Sequence, residues 1–223
     1  EHDCVLAGGD TVRSREGILI TVTVIGEMPA DQVVYRSGAL PGDEVWVSGT
    51  LGSAAAGLEI CRSGIKTDPG EMQTLVEAHL DPRPRISLGR LLAGNKVAHA
   101  MMDLSDGLAT DLSHLCQQSG VGAVVYAAEL PALPVLREAA DLLNRDPLDL
   151  MIRGGEDYEL VFTAAAAAGT RIAKLGQQAG MRLSRVGTIV DRQGVRLILP
   201  AGGTNGPDEV DISFTGFDHF PQE

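Results

Sequence analysis

The chain is organised around residues 100–112, which read AMMDLSDGLATDL. A short apolar run ends at Asp103, and a second aspartate follows three residues later, directly before a glycine. Leu108, Leu112 and Leu115 then recur at the three-and-four spacing of an amphipathic helix. This pattern predicts a strand that turns directly into a helix, with two carboxylates at the corner between them.

The carboxylates at this corner have two possible roles. Ser105 or Asp106 is a candidate N-cap, because a short oxygen-bearing side chain can accept hydrogen bonds from the first N–H groups of a helix. Alternatively, Asp103 and Asp106 can hold a divalent cation, and the helix N-terminus can hold a phosphate. Taken alone, the stretch supports both interpretations about equally, since acidic first turns are common in helices.

Composition limits the classes of function. The 223 residues carry a formal net charge of -12, which argues against nucleic acid as a partner because a phosphate backbone attracts a basic surface. No apolar run approaches the length of a membrane span, and no signal peptide is recognisable, so no membrane partner is expected. The three cysteines show no C-x-x-C spacing, which indicates reduced thiols and a cytoplasmic location.

The predicted elements after residue 44 indicate an α/β fold with a mixed sheet. Helices are predicted at 53–62, 71–80, 86–92, from the corner to about 120, at 135–143 and at 164–179. Strands are predicted at 44–48, 98–102, 121–127, 159–163, 183–190 and 195–199. Because the last two strands form a hairpin while the others alternate with helices, we expect helices packed on a sheet that is not wholly parallel.

Residues 1–28 do not fit this pattern. Residues 4–7 and the β-branched run at 18–25 predict a hairpin, although an isolated two-stranded hairpin is marginally stable. We therefore interpret residues 1–28 as the end of a domain whose beginning is absent, and residues 29–223 as a C-terminal α/β domain. The alternative is a self-sufficient hairpin packed on the rest of the chain.

Acidic residues gather at three glycine-associated corners, which are Asp10, the Asp103 and Asp106 pair, and Glu156 with Asp157. Magnesium binds proteins through a few carboxylates together with substrate phosphates and water. Three such corners in one chain therefore favour a magnesium–phosphate site. Nucleophilic catalysis has little support, because the sequence contains no G-x-S-x-G motif and its histidines lack metal-ligand spacing.

Five motifs occur in an order that resembles the thiamine-monophosphate kinase family. They are GGDT at 8–11, RSGALPGD at 36–43, DLSDGL at 103–108, GGEDYEL at 154–160 and GFDHF at 216–220. This family belongs to the superfamily of ATP-binding proteins related to aminoimidazole ribonucleotide synthetase. The resemblance spans nearly the whole chain and implies the fold of that superfamily's C-terminal domain.

The resemblance also implies an activity and roles for individual residues. The activity is transfer of the γ-phosphoryl group of ATP to thiamine monophosphate, which gives thiamine diphosphate and ADP with the help of Mg²⁺. The implied site residues are Gly9, Asp10, Arg36 and Ser105 for the nucleotide, Asp10, Asp103 and Asp106 for magnesium, and Glu156, beside Asp157, with Phe217 for the substrate. No covalent catalyst is implied, because phosphoryl transfer depends on positioning and charge neutralisation.

The sequence departs from this family at its N-terminus. Family members carry an N-terminal domain before GGDT that supplies further magnesium ligands, much of the nucleotide site and a homodimer interface. We therefore expect this polypeptide alone to be inactive or nearly so, and its hairpin to expose a strand edge. The alternatives left open are a sister activity, such as selenophosphate synthetase or a hydrogenase-maturation protein, a non-catalytic binding module, and a metal-dependent phosphatase.

Overall fold

A seven-stranded mixed sheet forms the centre of the structure, a computed structural model that describes residues 4–65, 70–200 and 208–216. The strands are β1 (Asp43–Ser48), β2 (Ala100–Asp103), β3 (Gly122–Tyr126), β4 (Leu160–Ala165), β5 (Leu183–Val190), β6 (Gly194–Ile198) and β7 (Glu209–Asp211). Their order in the sheet is β2-β4-β1-β5-β3-β6-β7. Because β3 and β6 are parallel while the other neighbours are antiparallel, the predicted mixed sheet is confirmed. The predicted hairpin of β5 with β6 is wrong, because β3 pairs with both strands and lies between them.

Helices cover both faces of this sheet. They are α1 (Ser53–Ser63), α2 (Glu71–Leu80), α3 (Ile86–Gly94), α4 (Leu108–Ser119), α5 (Val135–Leu143), α6 (Pro147–Arg153) and α7 (Gly169–Ala179). Successive residues of a strand point to opposite faces, so Val161 of β4 packs with α4 while Phe162 packs with α3 and α7. Phe162 is fully buried and stacks on Trp46, with ring centroids 6.5 Å apart. A separate apolar cluster joins α1, α2, α5 and α6.

Three elements differ from the predicted pattern. The alanine run predicted to begin a helix at 164 instead completes β4, because Ala164 and Ala165 pair with β1 and this pairing overrides the helix propensity of alanine. Helix α6 was not predicted, although Asp146 caps it by accepting the N–H of Leu148 at 2.9 Å and Pro147 occupies its first turn. Strand β7 was also not predicted, since three residues are too few to show a period.

The predicted N-terminal hairpin is wrong. The structure contains no strand between residues 4 and 29, and Ile18 and Ile25 are 93% and 92% exposed. The physical reason is that a β-branched run forms a strand only when another strand and an apolar surface stabilise it. The assignment of residues 1–28 to a different domain from residues 29–223 stays a prediction.

The state of the cysteines and the length of the helices are two further features of the structure. Cys61 and Cys116 are free thiols, and burial raises the pKa of Cys116 to about 12. Within the described ranges, no helix combines the length and the apolar character that crossing a bilayer requires.

Candidate functional site

The DLSDGL corner lies where β2 ends beside β4. Asp103 is the last residue of β2 and pairs with Leu160, and α4 begins at Leu108 immediately after Gly107. Gly107 has a φ of +100°, and a Cβ at this position would lie 2.9 Å from the backbone carbonyl carbon of Arg153. Glycine is therefore required here for both its conformation and the close approach of the two backbones.

The loop before α4 is fixed by Asp111, which the sequence analysis missed. Neither Ser105 nor Asp106 is the N-cap, which is Gly107, so that prediction is wrong. Instead, Asp111 Oδ2 accepts the N–H groups of Ser105 and Asp106 at 2.9 and 3.0 Å. Burial raises the pKa of Asp111 to about 6, and the charges of Asp106 and Asp103 act in the same direction. Negative charge is thus concentrated at this corner, and a bound cation would relieve it.

The loop that contains GGEDYEL lies directly against this corner. Glu156 donates its N–H to the Ser105 carbonyl at 2.8 Å, and Tyr158 donates its N–H to the Leu104 carbonyl at 2.9 Å. A Cβ at Gly155 would lie 2.5 Å from the Ser105 carbonyl oxygen, so glycine permits this contact. Glu156 and Tyr158 have φ values of +69° and +48°. Positive φ values strain residues other than glycine, so the hydrogen bonds between the two backbones must maintain this conformation.

Successive side chains of this loop face two different cavities. Glu156 and Tyr158 line a cleft of about 650 Å³, whereas Asp157 and Glu159 line a smaller cavity of about 330 Å³. The adjacent carboxylates of Glu156 and Asp157 therefore do not act at the same place.

Asp157 and Glu159 hold the loop in position. Asp157 accepts the N–H groups of Gly52 and Ala54 at 2.7 and 3.1 Å, at the start of α1. Burial raises the pKa of Asp157 to about 7 against the opposing effect of these hydrogen bonds, and the charge of Glu159 adds to the rise. Glu159 is itself held by Arg85, whose Nη2 and Nε lie 2.6 and 2.8 Å from its two oxygens. A carboxylate of the protein thus already occupies the α1 N-terminus.

The larger cleft brings together three of the predicted site residues, which are Ser105, Asp106 and Glu156. Its other walls come from α1, α2 and α6 and carry charged side chains of both signs. The charged or titratable residues on these walls are Glu59, Arg62, His79, Arg145, Asp149 and Arg153.

His79 is a residue of the cleft that sequence analysis passed over. Its Nδ1 lies 3.1 Å from Glu156 Oε2, and both residues line the cleft. No motif in the sequence marks this histidine, because its position depends on how α2 packs against α1.

The remaining predicted site residues do not line this cleft. Gly9 and Asp10 lie in the exposed segment before residue 29, where the Asp10 carboxylate accepts the N–H of Thr11. Arg36 is exposed beside β2, since the carbonyl of its neighbour Tyr35 accepts the N–H of Met101 at 3.0 Å. The roles predicted for Gly9, Asp10 and Arg36 stay predictions.

Phe217 lies outside the described residues, and its substrate contact also stays a prediction. The preceding residue, Gly216, donates its N–H to Thr110 Oγ1 at 2.9 Å. Its Cα lies close to Asp106, since a Cβ added at Gly216 would be 2.3 Å from the Asp106 carbonyl oxygen. The C-terminal segment therefore reaches the DLSDGL corner at Gly216.

The carboxylates of the corner can supply part of a magnesium site. In the part of the chain that the structure describes, no group of three or more His, Cys, Asp or Glu side chains is arranged to hold a metal. Asp103 and Asp106 nevertheless offer the hard oxygen ligands that Mg²⁺ prefers, and Mg²⁺ commonly uses one or two carboxylates together with substrate phosphates. The residues present therefore fit a magnesium ion whose other ligands come from a bound nucleotide and water.

The fold and the corner define the class of protein. Residues 41–200 match the family of the AIR synthase related protein, C-terminal domain, and the chain belongs to this family. Within this class the chain is similar to thiamine-monophosphate kinases. That of Salmonella typhimurium is 34% identical over 223 residues, which cover 98% of this chain and 64% of the relative. The chain thus spans less than two thirds of that relative's length.

Solved structures show the same similarity. The thiamine-monophosphate kinase from Stenotrophomonas maltophilia K279a is 42% identical with a TM-score of 0.68, covering 74% of this chain and 53% of that one. AaThiL complexed with AMPPCP and TMP is 33% identical with a TM-score of 0.64, covering 74% of this chain and 50% of that one.

Proposed function

We propose that this chain takes part in the Mg²⁺- and ATP-dependent phosphorylation of thiamine monophosphate, which gives thiamine diphosphate and ADP. The observation that carries the proposal is that Ser105, Asp106 and Glu156 line one cleft of about 650 Å³. A predicted nucleotide contact, a predicted magnesium ligand and a predicted substrate contact thus border the same space. The similarity to AaThiL, which was solved with AMPPCP and TMP, supports this assignment of ligands.

The residues of the cleft, together with Asp103 at the end of β2, suit different parts of this reaction. Asp103 and Asp106 would hold Mg²⁺, which when bound neutralises the charge of the transferred phosphoryl group. Glu156 supplies a negative charge opposite the cationic thiazolium ring of thiamine. Ser105 is a nucleotide contact in this proposal, and its backbone is held in place by the carboxylate of Asp111.

Other residues complete the proposed site. Arg36 contacts the ATP phosphates with its forked donors, and Gly9 and Asp10 contribute to the nucleotide and magnesium site. Phe217 packs on the rings of the substrate. We also propose a homodimer and a cytoplasmic location, and the free cysteines are compatible with a reducing compartment.

Calorimetric titration of the purified chain with thiamine monophosphate tests the proposal. We expect Glu156→Gln to weaken binding roughly tenfold. Loss of a charge-assisted contact lowers the binding free energy by about 1.4 kcal/mol or more. Glu138→Gln, which removes an exposed carboxylate on α5 away from the cleft, is the matched control and should bind like the wild type.

A second titration, with ATP at fixed Mg²⁺, separates the nucleotide contact from the substrate contact. Asp106→Asn should weaken Mg²⁺-dependent ATP binding and leave magnesium-free binding unchanged. If Glu156→Gln binds thiamine monophosphate as the wild type does, or if Asp106→Asn binds ATP with Mg²⁺ as the wild type does, the proposed function is wrong. Release of phosphate from thiamine monophosphate without ATP would identify a phosphatase instead.

A further inference from the structure

We infer that His79 is a positioning residue that directs the Glu156 carboxylate into the cleft and thereby sets the affinity for a cationic heteroaromatic ring. The inference rests on the proposed function, because Glu156 is the substrate contact in that proposal. It concerns a residue that belongs to none of the five sequence motifs.

The contact between the two side chains is the first observation. His79 Nδ1 lies 3.1 Å from Glu156 Oε2, and the His79 side chain is 19% exposed while that of Glu156 is 50% exposed. The Nδ1 atom is itself buried and makes no hydrogen bond of acceptable geometry with any described residue. A buried ring nitrogen therefore has the carboxylate of Glu156 as its polar neighbour, on the wall of an open cleft.

The packing of α1 against α2 explains why His79 is held at this place. A Cβ on Gly57 of α1 would lie 2.0 Å from the Leu75 carbonyl oxygen and 3.1 Å from the His79 Cβ. The two helices are thus in direct backbone contact at Gly57. Leu75, one turn before His79, is fully buried, so α2 cannot shift without exposing it. His79 is consequently carried on a rigid part of the fold.

Glu156 is constrained at its backbone but much less at its side chain. Its N–H is bonded to the Ser105 carbonyl at 2.8 Å, and its φ is +69°. Half of its side chain is exposed, so the carboxylate would have several rotamers available without a neighbour. A contact from a rigid histidine selects one of them, and preorganisation of this kind increases affinity by reducing the entropy lost on binding.

Two of the three arginines that line the cleft already pair with carboxylates other than Glu156. Arg145 pairs with Glu59 and Arg153 pairs with Asp149, each at 3.3 Å. Among the described residues, the nitrogen closest to the Glu156 carboxylate in a side-chain contact is His79 Nδ1, at 3.1 Å. Removing His79 should therefore release the carboxylate from its present position.

Titration calorimetry with thiamine monophosphate, and with thiamine as the probe that lacks the phosphate, tests this inference on four variants. An asparagine amide nitrogen occupies the place of the histidine Nδ1, whereas a glutamine amide nitrogen occupies that of Nε2. We expect His79→Leu and His79→Gln to weaken both ligands roughly fivefold to tenfold and His79→Asn to stay within about twofold of the wild type. The double variant His79→Leu/Glu156→Gln should bind each ligand as tightly as Glu156→Gln alone, because His79 acts only through the Glu156 carboxylate.

Two further measurements distinguish a variant that does not fold from a failure of the inference itself. Thermal unfolding shows whether each variant folds, and if His79→Leu does not, the comparison of His79→Asn with His79→Gln carries the test. Crystal structures of the wild type and His79→Leu locate the Glu156 carboxylate without any ligand.

The inference is overturned if that carboxylate superimposes in both structures, or if the losses of affinity from His79→Leu and Glu156→Gln are additive. Wild-type binding by Glu156→Gln, with a displaced carboxylate in His79→Leu, would refute the proposed function alone.

Discussion

Two adjacent carboxylates, Glu156 and Asp157, have opposite environments at the residue scale. Glu156 is half exposed on the larger cleft, whereas Asp157 accepts two N–H groups at the N-terminus of α1. Burial raises the pKa of Asp157 to about 7, so much of it is protonated near neutral pH. Glu156 is therefore suited to contact a ligand, while Asp157 joins the loop to a helix.

Replacing Asp157 with asparagine should flatten the dependence of stability on pH. Folding raises the pKa of Asp157 from 3.8 to about 7, so the folded state keeps a proton that the unfolded state releases, and stability falls as pH rises through that window. At about 1.4 kcal/mol per pKa unit, the loss is on the order of 4 kcal/mol. Asparagine can accept the same N–H groups without burying a charge, so most of this loss should disappear.

Urea unfolding at pH values from about 4 to about 8 measures this effect. Asp191→Asn, which changes an exposed aspartate, is the control and should follow the wild-type profile. Parallel profiles for the wild type and Asp157→Asn would show that Asp157 does not titrate in this window.

At the scale of elements, two helical glycines contribute to packing in different ways. Gly57 lets α1 touch the backbone of α2, because a Cβ there would lie 2.0 Å from the Leu75 carbonyl oxygen. Gly89 of α3 has more room, since its Cβ would lie 3.7 Å from Leu160 Cδ1 and 4.0 Å from Met101 Cε. The same substitution should therefore have opposite effects in the two helices.

We expect Gly57→Ala to destabilise the protein by about 1–3 kcal/mol, because overpacking outweighs the gain in helix propensity. Gly89→Ala is the matched control and should stabilise by up to about 1 kcal/mol, because the methyl group makes ordinary contacts and alanine favours the helix. Chemical denaturation of both variants measures the difference. Equal effects of the two substitutions would contradict the close contact of α1 with α2.

At the scale of the whole molecule, the packed structure does not use the N-terminal segment. The sheet and its helices occupy residues 43–211, whereas residues 4–29 contain no helix or strand and expose large apolar side chains such as Ile18 and Ile25. At the opposite end, Ile212 is buried in the apolar cluster under α4. The stability of the fold should accordingly depend on the C-terminal segment and not on the N-terminal one.

Deleting residues 1–28 should change the melting temperature by no more than about 2 °C, because residues 4–28 are all exposed. Ile212→Ala is the comparison and should cost about 2–4 kcal/mol through the cavity that it leaves. Differential scanning calorimetry measures both. A large drop on deletion would mean that the segment packs on the domain.

Local patterns were sufficient to predict the mixed sheet, most helix bounds and the DLSDGL and GGEDYEL corners, because periodicity and turn residues act over a few neighbours. The bounds of α5 and β5 agree with their predicted ranges. Local signals did not distinguish the alanines of β4 from a helix, since strand pairing with β1 decided their conformation.

Tertiary packing alone decided which side chains share the cleft. It separated Asp157 from Glu156, made Asp111 the residue that fixes the loop before α4, and placed His79 beside Glu156. It also left the β-branched run near the N-terminus without a partner strand among the described residues. These outcomes depend on contacts between elements far apart in the chain and on burial, and neither is encoded in the spacing of neighbouring residues.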